Sequence, residues 1–210
     1  MINLIWDLDG TLFNTYPFIV KRIQTALESF DLKYSYNEIY EHLIKTTTFD
    51  FLLFIEEKHK INVGSLLNAI KRIDLDYSTV ELMPHIKEFL ESTKDQNEVR
   101  HFIYTHRDHK TCRFLLYFLE IENYFVEVVD ESSVHFVRKP DTDSIDYLVD
   151  KYNLDKQNTY YIGDRKIDAL CAKDAGIKSI FYNSSHVKVD HFENDIEIHD
   201  VLDLRQILKV

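Results

Sequence analysis

The sequence has little glycine and proline, and this scarcity argues against several classes of protein. Its 210 residues include four glycines and three prolines, whereas average usage predicts roughly 15 and roughly 10. Many-stranded sandwiches and barrels need turn residues about every 8–12 positions, so these folds are disfavoured. Collagen-like repeats, Gly/Ser linkers and Pro-rich disorder are excluded on the same count. Each remaining glycine is expected where no other residue fits.

Cysteine, long apolar runs and basic blocks are also scarce. Cys112 and Cys171 form no CxxC pair and lie in apolar, helix-like stretches, which predicts reduced core residues. The N-terminal apolar run stops at Asp7, too soon for a signal peptide, and no stretch approaches about 18 apolar residues. The net charge of −11 includes no basic block, so neither nucleic acid nor a membrane is expected as a partner. We expect a cytoplasmic protein that is a monomer or a weak homodimer.

The apolar pattern changes twice along the chain. Residues 2–6 are a short apolar run followed by turn residues, which is typical of a buried strand. Apolar residues at helical spacing over 16–78 predict three or four helices. After Pro84 strands and helices alternate. The predicted strands there are 99–104, 126–129, 159–162 and 178–182, and the predicted helices are 85–93, 108–118, 140–152, 166–175 and 202–208.

This alternation is typical of a parallel sheet with helices on both faces. The sequence therefore predicts an α/β protein with a Rossmann-like, doubly wound parallel sheet. Residues 1–15 and 80–210 would form this core domain. Residues 16–79 would form an all-helical domain inserted after the first strand.

Polar side chains follow several of the predicted strands, where a doubly wound sheet binds its ligands. They are Asp7, Asp9, Thr105, His106, Arg107, Asp164 and Asp168, with Lys139 before the long helix. Taken singly, each has an ordinary interpretation: an Asp-Gly turn, a capping hydroxyl, a solvated lysine, or acids in a first helical turn. Those interpretations do not explain why the residues share one edge of the sheet.

Electrostatics sharpens this prediction. Four carboxylates gathered around one lysine would carry a charge of −3, from Asp7, Asp9, Asp164, Asp168 and Lys139. Two like charges 4 Å apart repel by about 4 kcal/mol at an effective dielectric of about 20, so the site calls for a cation. Oxygen ligands select a hard ion, Mg²⁺ before Ca²⁺. An acidic Mg²⁺ pocket with a lysine and a hydroxyl suits phosphoryl chemistry.

Four segments, in order along the chain, resemble the motifs of the haloacid dehalogenase-like superfamily. They are Asp7-Leu8-Asp9-Gly10-Thr11-Leu12, Thr105, Lys139 in Arg138-Lys139-Pro140, and Gly163-Asp164-Arg165-Lys166-Ile167-Asp168 of the GDxxxD type. The helical block at 16–79 resembles the family's small helical cap domain. That subgroup includes phosphoglycolate phosphatases and β-phosphoglucomutases.

The resemblance implies a role for each aspartate. Asp7 would be the nucleophile that forms an aspartyl-phosphate, and Asp9 would be the general acid and base. Mg²⁺ would be held by Asp7, the backbone carbonyl of Asp9 and Asp164, with Asp168 binding directly or through water. Because true haloacid dehalogenases lack the second aspartate, Asp9 argues against dehalogenation.

The resemblance also implies how phosphate is bound and how a substrate is chosen. Thr105 and backbone N–H groups near Gly10 and His106 would bind the phosphate oxygens, while Lys139 would screen the Asp7 carboxylate. The cap would select the substrate by closing over the site. Candidate selectivity residues are Tyr16, Arg22, Lys45, the Thr46–Thr48 run and Arg107.

Some interpretations stay open. Thr46–Thr48 also fits a helix start, Arg107 also fits a solvated loop, and Arg165 could reach the site or face solvent. The histidines and acids of the tail, such as His186 and His191, match no metal-ligand spacing.

The leading functional hypothesis is a Mg²⁺-dependent phosphatase acting on a small phosphorylated metabolite. Phosphoglycolate is the first candidate substrate by resemblance. One alternative is a phosphomutase, which returns the phosphoryl group to a sugar. An alternative of another class is a catalytically idle protein that uses this fold for binding or regulation.

Overall fold

A six-stranded, all-parallel sheet carries the site. In chain order its strands are β1 Ile2–Trp6, β2 Val99–Tyr104, β3 Phe125–Val129, β4 Thr159–Gly163, β5 Lys178–Tyr182 and β6 Ile196–Ile198. The spatial order is β3-β2-β1-β4-β5-β6, which confirms the predicted doubly wound α/β fold. The computed structural model describes residues 1–74, 76–96, 98–184 and 193–209.

The chain divides into two compact units. The first comprises Met1–Asn14, Val80–Ser184 and the C-terminal segment, and it contains the sheet. The second comprises Thr15–Thr79. Its helices are α1 Tyr16–Glu28, α2 Tyr36–Lys45, α3 Thr48–His59 and α4 Val63–Lys71. That this unit acts as a cap stays a prediction.

The remaining helices belong to the first unit. They are α5 Ile86–Thr93, α6 His109–Phe118, α7 Asp143–Tyr152, α8 Lys166–Asp174 and α9 Asp203–Leu208. Asp108 caps α6, because its side chain accepts a hydrogen bond from the N–H of Thr111. No helix among the described residues is long and apolar enough to cross a membrane.

Two elements differ from the sequence prediction. The helix predicted to start at Pro140 begins instead at Asp143, and the carbonyl of Thr142 accepts its first hydrogen bonds. The preceding residues form a turn closed by the N–H of Asp141 on the carbonyl of Arg138. The short strand β6 was not predicted, because three residues are too few to show an alternating pattern.

The central strand is buried on both faces, as its continuous apolar sequence requires. Leu4, Ile5 and Trp6 are all fully buried. Cys112 and Cys171 are free and buried, which confirms the prediction of reduced core residues. A polar network also lies in this core and involves Trp6.

Trp6, His101 and Thr93 form the network. The indole N–H of Trp6 donates to Nδ1 of His101 at 3.1 Å, and Nε2 of His101 lies 2.9 Å from the hydroxyl of Thr93. The hydroxyl in turn donates to the carbonyl of Phe89. His101 is therefore held as the neutral tautomer with its proton on Nε2. Burial lowers the pKa of His101 to about 4.

The pKa of His101 makes stability depend on pH. The folded-state pKa lies below the ordinary value of 6.5, so the unfolded chain binds the proton more tightly between pH 6.5 and about 4. Stability is present above this window and is lost as the pH falls through it. We expect this group to remove about 2 kcal/mol of unfolding free energy between pH 7.5 and pH 5.

Urea unfolding at both pH values, for the wild type and His101→Gln, measures this effect. Gln does not titrate, so the drop for the variant should be smaller than for the wild type. His199→Gln, at a histidine whose side chain is 72% exposed, is the matched control and should keep the wild-type drop. Equal drops in all three proteins would contradict the prediction.

Candidate active site

Asp7 lies where β1 ends, at the carboxyl edge of the sheet. Its N–H donates to the carbonyl of Ile162 in β4 at 2.9 Å, which anchors the residue between two strands. The chain then turns sharply, with the carbonyl of Leu8 accepting the N–H groups of Leu12 and Phe13. Gly10 has a φ of +79° in this turn, a conformation that favours glycine.

The turn also uses the N–H of Gly10. This N–H donates to the carbonyl of Phe13 at 2.9 Å, so it already has an acceptor inside the turn. The sequence predicted Gly10 as part of the phosphate-binding backbone. In the structure Gly10 has a conformational role, and phosphate binding stays a prediction for the backbone N–H groups of its neighbours.

A buried lysine joins two buried carboxylates. Nζ of Lys139 donates to Oδ1 of Asp7 at 2.5 Å and to Oδ1 of Asp168 at 2.8 Å. The exposed fractions of the three side chains are 0% for Lys139, 3% for Asp7 and 2% for Asp168. We call these three residues the buried triad. Its Coulomb energy is large because water does not screen it.

Burial and pairing shift the pKa values of the triad in different directions. Burial raises the pKa of Asp7 more than the nearby Lys139 lowers it. For Asp168, burial acts upward but the charges of Lys139 and Arg165 prevail, and the pKa is lowered. Burial alone would lower the pKa of Lys139, and the two carboxylates outweigh it and raise that pKa. Asp7 is therefore the carboxylate that lacks sufficient positive charge.

The acidic cluster has the donor set of a hard cation. Oxygen atoms of Asp7, Asp164 and Asp168 lie within 4.8 Å of one another, and all three residues are buried. Oδ2 of Asp7 is buried, and no hydrogen-bond donor in the described part of the chain reaches it. A buried carboxylate oxygen without a donor is costly, and a divalent cation would satisfy it. The residues present therefore fit a metal ion.

Thr11 and Gly163 hold the carboxylates in place. The hydroxyl of Thr11, which is fully buried, lies 3.4 Å from Oδ1 of Asp164. A Cβ added to Gly163 would lie 2.4 Å from Cβ of Asp168, so only glycine permits this close approach. Oδ2 of Asp168 also accepts the N–H of Arg165 at 3.2 Å. Both oxygens of Asp168 are therefore already hydrogen-bonded.

The loop after β2 brings Thr105, His106 and Arg107 to the same edge. Thr105 is buried, and its hydroxyl oxygen accepts the N–H of Arg107 at 3.1 Å. Nε2 of His106 accepts the N–H of Lys139 at 2.8 Å, which fixes the backbone that carries the lysine. Burial, helped by the charges of Lys139 and Arg165, lowers the pKa of His106 to about 3, so the ring stays neutral and can accept.

Arg107 forms an ion pair with Asp9. Its Nε lies 3.1 Å from both carboxylate oxygens, and its Nη2 donates to Oδ1. The Arg107 side chain is 8% exposed and the Asp9 side chain 25%. The open choice for Arg107 is thus decided against a solvated loop residue. This pairing has no local signal in the sequence, because the two residues are 98 positions apart.

Arg165 is also near the site. It is half-buried, and its charge acts on the pKa values of Asp7, Asp168 and Lys139. Its backbone N–H donates to Oδ2 of Asp168, so Arg165 lies beside the site, and a direct role for its side chain stays a prediction. His186 and His191 of the tail lie outside the described residues.

The candidate selectivity residues in the second unit have structural roles there. Tyr16 is buried, with its ring edge-on to Tyr40 at 5.5 Å between centroids. Nε of Arg22 donates to the carbonyl of Ile70 at 2.8 Å, and Lys45 pairs with Glu41 on the exposed face of α2. Thr47 caps α3 through the N–H of Asp50, which confirms the helix-start interpretation of the threonine run. A role in selectivity stays a prediction for these residues.

Sequence reasoning missed the aromatic support of Lys139. Nζ lies 5.2 Å from the ring centre of Tyr104 and 5.1 Å from that of Tyr161. The electron-rich ring faces attract the ammonium group. Both tyrosines are strand residues that looked like ordinary core. Their position near the ends of predicted strands was the one signal available.

The fold and site together define a class of protein. It is a doubly wound α/β protein with a buried Asp–Lys–Asp site and a metal-competent acidic cluster at the sheet edge. The chain belongs to the haloacid dehalogenase-like hydrolase family, whose sequence profile matches residues 4–182.

Individual relatives are similar at low identity. A phosphoglycolate phosphatase from Pasteurella multocida is 26% identical over 182 residues, covering 81% of this chain and 80% of that protein. A phosphorylated carbohydrates phosphatase from Thermotoga maritima is 25% identical over 186 residues, covering 86% and 84%. A haloacid dehalogenase-like hydrolase structure from Streptococcus pneumoniae has a TM-score of 0.82 at 18% identity, with 99% and 98% covered. That structure has the same fold.

Removing the lysine should destabilise the protein strongly. Lys139→Met leaves the buried carboxylates of Asp7 and Asp168 without their cation, and breaking a buried pair in this way costs about 3–5 kcal/mol. Urea unfolding at neutral pH measures the loss. Lys151→Met, which removes a half-exposed lysine paired with Glu127, is the matched control and should cost far less. Similar losses for the two variants would contradict the role given to the buried triad.

Proposed function

We propose that the protein is a Mg²⁺-dependent phosphatase that hydrolyses a small phosphorylated metabolite through an aspartyl-phosphate on Asp7. One observation carries the proposal. Asp7 is held by Lys139 through Oδ1, while its buried Oδ2 lacks a hydrogen-bond donor in the described residues. A carboxylate with one oxygen held and the other without a donor can bind a cation such as Mg²⁺ and can attack the phosphorus atom of a substrate.

The proposed metal ligands are those that the family resemblance implies, and the buried acidic cluster of Asp7, Asp164 and Asp168 supports them. Asp7, Asp164 and the backbone carbonyl of Asp9 would hold Mg²⁺. Asp168 would bind through water, since its two oxygens are engaged by Lys139 and by the N–H of Arg165. When bound, the ion supplies charge neutralisation for the phosphoryl oxygens.

The protein's own residues would carry out the chemistry in two halves. In the first, an oxygen of Asp7 attacks phosphorus as the bond to the leaving oxygen breaks, and Asp9 gives that oxygen a proton. In the second, Asp9 takes a proton from water as the water attacks the aspartyl-phosphate. Asp7 is thereby regenerated and inorganic phosphate is released. Water enters in the second half only. Asp9 acts as the acid in the first half and as the base in the second.

The phosphate oxygens would be bound by Thr105 and by nearby backbone N–H groups. The hydroxyl oxygen of Thr105 already accepts the N–H of Arg107, which leaves its proton for a substrate oxygen. Lys139 would reduce the repulsion between the Asp7 carboxylate and an anionic phosphate. The hydrogen bond from the backbone N–H of Lys139 to the ring of His106 holds the segment that carries the lysine next to the loop that carries Thr105.

The names of the two related phosphatases support a phosphatase acting on small phosphoesters, phosphoglycolate among them. A phosphomutase remains the second candidate, because it would use the same aspartate and differ in excluding water. The observation that favours hydrolysis is the naming of both reported relatives as phosphatases.

Replacing the proposed nucleophile should abolish hydrolysis. With para-nitrophenyl phosphate and Mg²⁺, we expect Asp7→Asn to lower kcat/KM by at least about a thousandfold, because no aspartyl-phosphate can form. Asp155→Asn, at a capping residue in the loop before β4, is the matched control and should keep full activity. Steady release of inorganic phosphate by the wild type would exclude the phosphomutase. Wild-type turnover no faster than that of Asp7→Asn would refute the phosphatase.

Mg²⁺ should stabilise the folded protein even without substrate. A ligand that binds only the native state raises the melting temperature with concentration, and here it also relieves the charge on Asp7. Thermal melting against a MgCl₂ series, at constant ionic strength, measures this shift. Asp164→Asn should show a much smaller shift, and Asp155→Asn should show that of the wild type. An equal shift in all three would place the ion elsewhere.

A further inference from the structure

The proposed phosphatase chemistry makes no use of the ion pair of Arg107 with Asp9. The guanidinium approaches the carboxylate with two of its nitrogens, Nε and Nη2. Oδ1 receives both nitrogens, and Oδ2 lies 3.1 Å from Nε. This forked arrangement is among the strongest side-chain ion pairs.

The fork occupies the atoms that the reaction needs. To serve as acid and base, Asp9 has to contact the leaving oxygen with one of its carboxylate oxygens. In the structure both oxygens face the guanidinium. Arg107 therefore has to give up at least one of these contacts when a substrate is bound.

Releasing Arg107 is costly unless another anion takes the place of Asp9. Its side chain is 8% exposed, and a buried cation that loses its carboxylate is destabilised. The arginine backbone stays in place, because its N–H is bonded to Thr105 and α6 begins two residues later. Only the side chain of Arg107 can move, and it starts in contact with Asp9, the residue that would meet the leaving group. The replacement anion should therefore lie on the leaving group.

We propose that Arg107 is a specificity-determining residue that exchanges Asp9 for a second anionic group on the leaving group of the substrate. The preferred substrates are then phosphoesters with a carboxylate or a second phosphate close to the ester oxygen. A guanidinium fork matches either anion in the same geometry. A neutral leaving group leaves Arg107 on Asp9 and reacts slowly. This proposal rests on the phosphatase function proposed above.

A cycle of two substrates and several variants tests the exchange. The substrates are 2-phosphoglycolate, which carries the second anion, and 2-hydroxyethyl phosphate, which replaces the carboxylate by a neutral group of similar size. The proteins are the wild type, Arg107→Met, Arg107→Lys and Arg113→Met. Arg113 lies on α6 and pairs with Glu122 at the surface, so it is the matched control. Comparing ratios of kcat/KM between proteins cancels the intrinsic reactivities of the two esters.

We expect the wild type to favour 2-phosphoglycolate by at least tenfold in kcat/KM. This ratio should fall toward one in Arg107→Met, take an intermediate value in Arg107→Lys, which keeps the charge but not the fork, and stay unchanged in Arg113→Met. The change should appear as a higher KM for 2-phosphoglycolate, which loses its cation, and as a higher kcat for 2-hydroxyethyl phosphate, because Asp9 is no longer held by Arg107. Inorganic pyrophosphate as a third substrate distinguishes a second phosphate from a carboxylate as the preferred anion.

The outcomes separate the two proposals. A wild-type ratio near one, or a ratio retained in folded Arg107→Met and Arg107→Lys, overturns the exchange while hydrolysis of both esters still supports the phosphatase. If the wild type hydrolyses para-nitrophenyl phosphate but none of these three substrates, the exchange alone is overturned, and if para-nitrophenyl phosphate is not hydrolysed either, both proposals are. Circular dichroism shows whether each variant is folded. If Arg107→Met does not fold, Arg107→Lys still provides the test.

Discussion

The buried contact of Lys139 with Asp7 and Asp168 is the interaction on which the rest of the site depends. One ammonium group pairs with two carboxylates whose side chains are at most 3% exposed, so its position is set by charge and by packing at once. The rings of Tyr104 and Tyr161 lie against the ammonium group of Lys139. The ring nitrogen Nε2 of His106 accepts the backbone N–H of the same lysine. Of the two carboxylates, Asp7 is the one whose charged form is less stabilised, since burial raises its pKa while that of Asp168 is lowered.

The parallel sheet makes this arrangement possible. Because β1, β2 and β4 are adjacent and run the same way, their carboxyl ends deliver Asp7, Thr105 and Asp164 to one edge. The turns after these strands then need backbone that approaches closely, which explains the positions of Gly10 and Gly163 in a chain with few glycines. The site is thus a consequence of topology first and of side-chain chemistry second.

Much of the fold was predictable from local pattern. The bounds of β1, β2 and β5 agree to the residue with the apolar runs, since buried parallel strands are continuous in sequence. The predicted start of α7 at Pro140 was wrong, and the helix begins at Asp143. Pro140 fits a first helical turn locally, but the lysine before it has to reach Asp7. The strand β6 was too short to show a period.

The sequence by itself determined which groups the site contains, since the type and order of the acidic motifs follow from residue identity. Tertiary structure alone decided how they are paired. That Arg107 lies on Asp9, that His106 accepts from the backbone of Lys139, and that Oδ2 of Asp7 lacks a donor in the described residues are facts of contact between distant segments. Distance and burial set the strength of such contacts. Neither quantity produces a periodic pattern in the sequence.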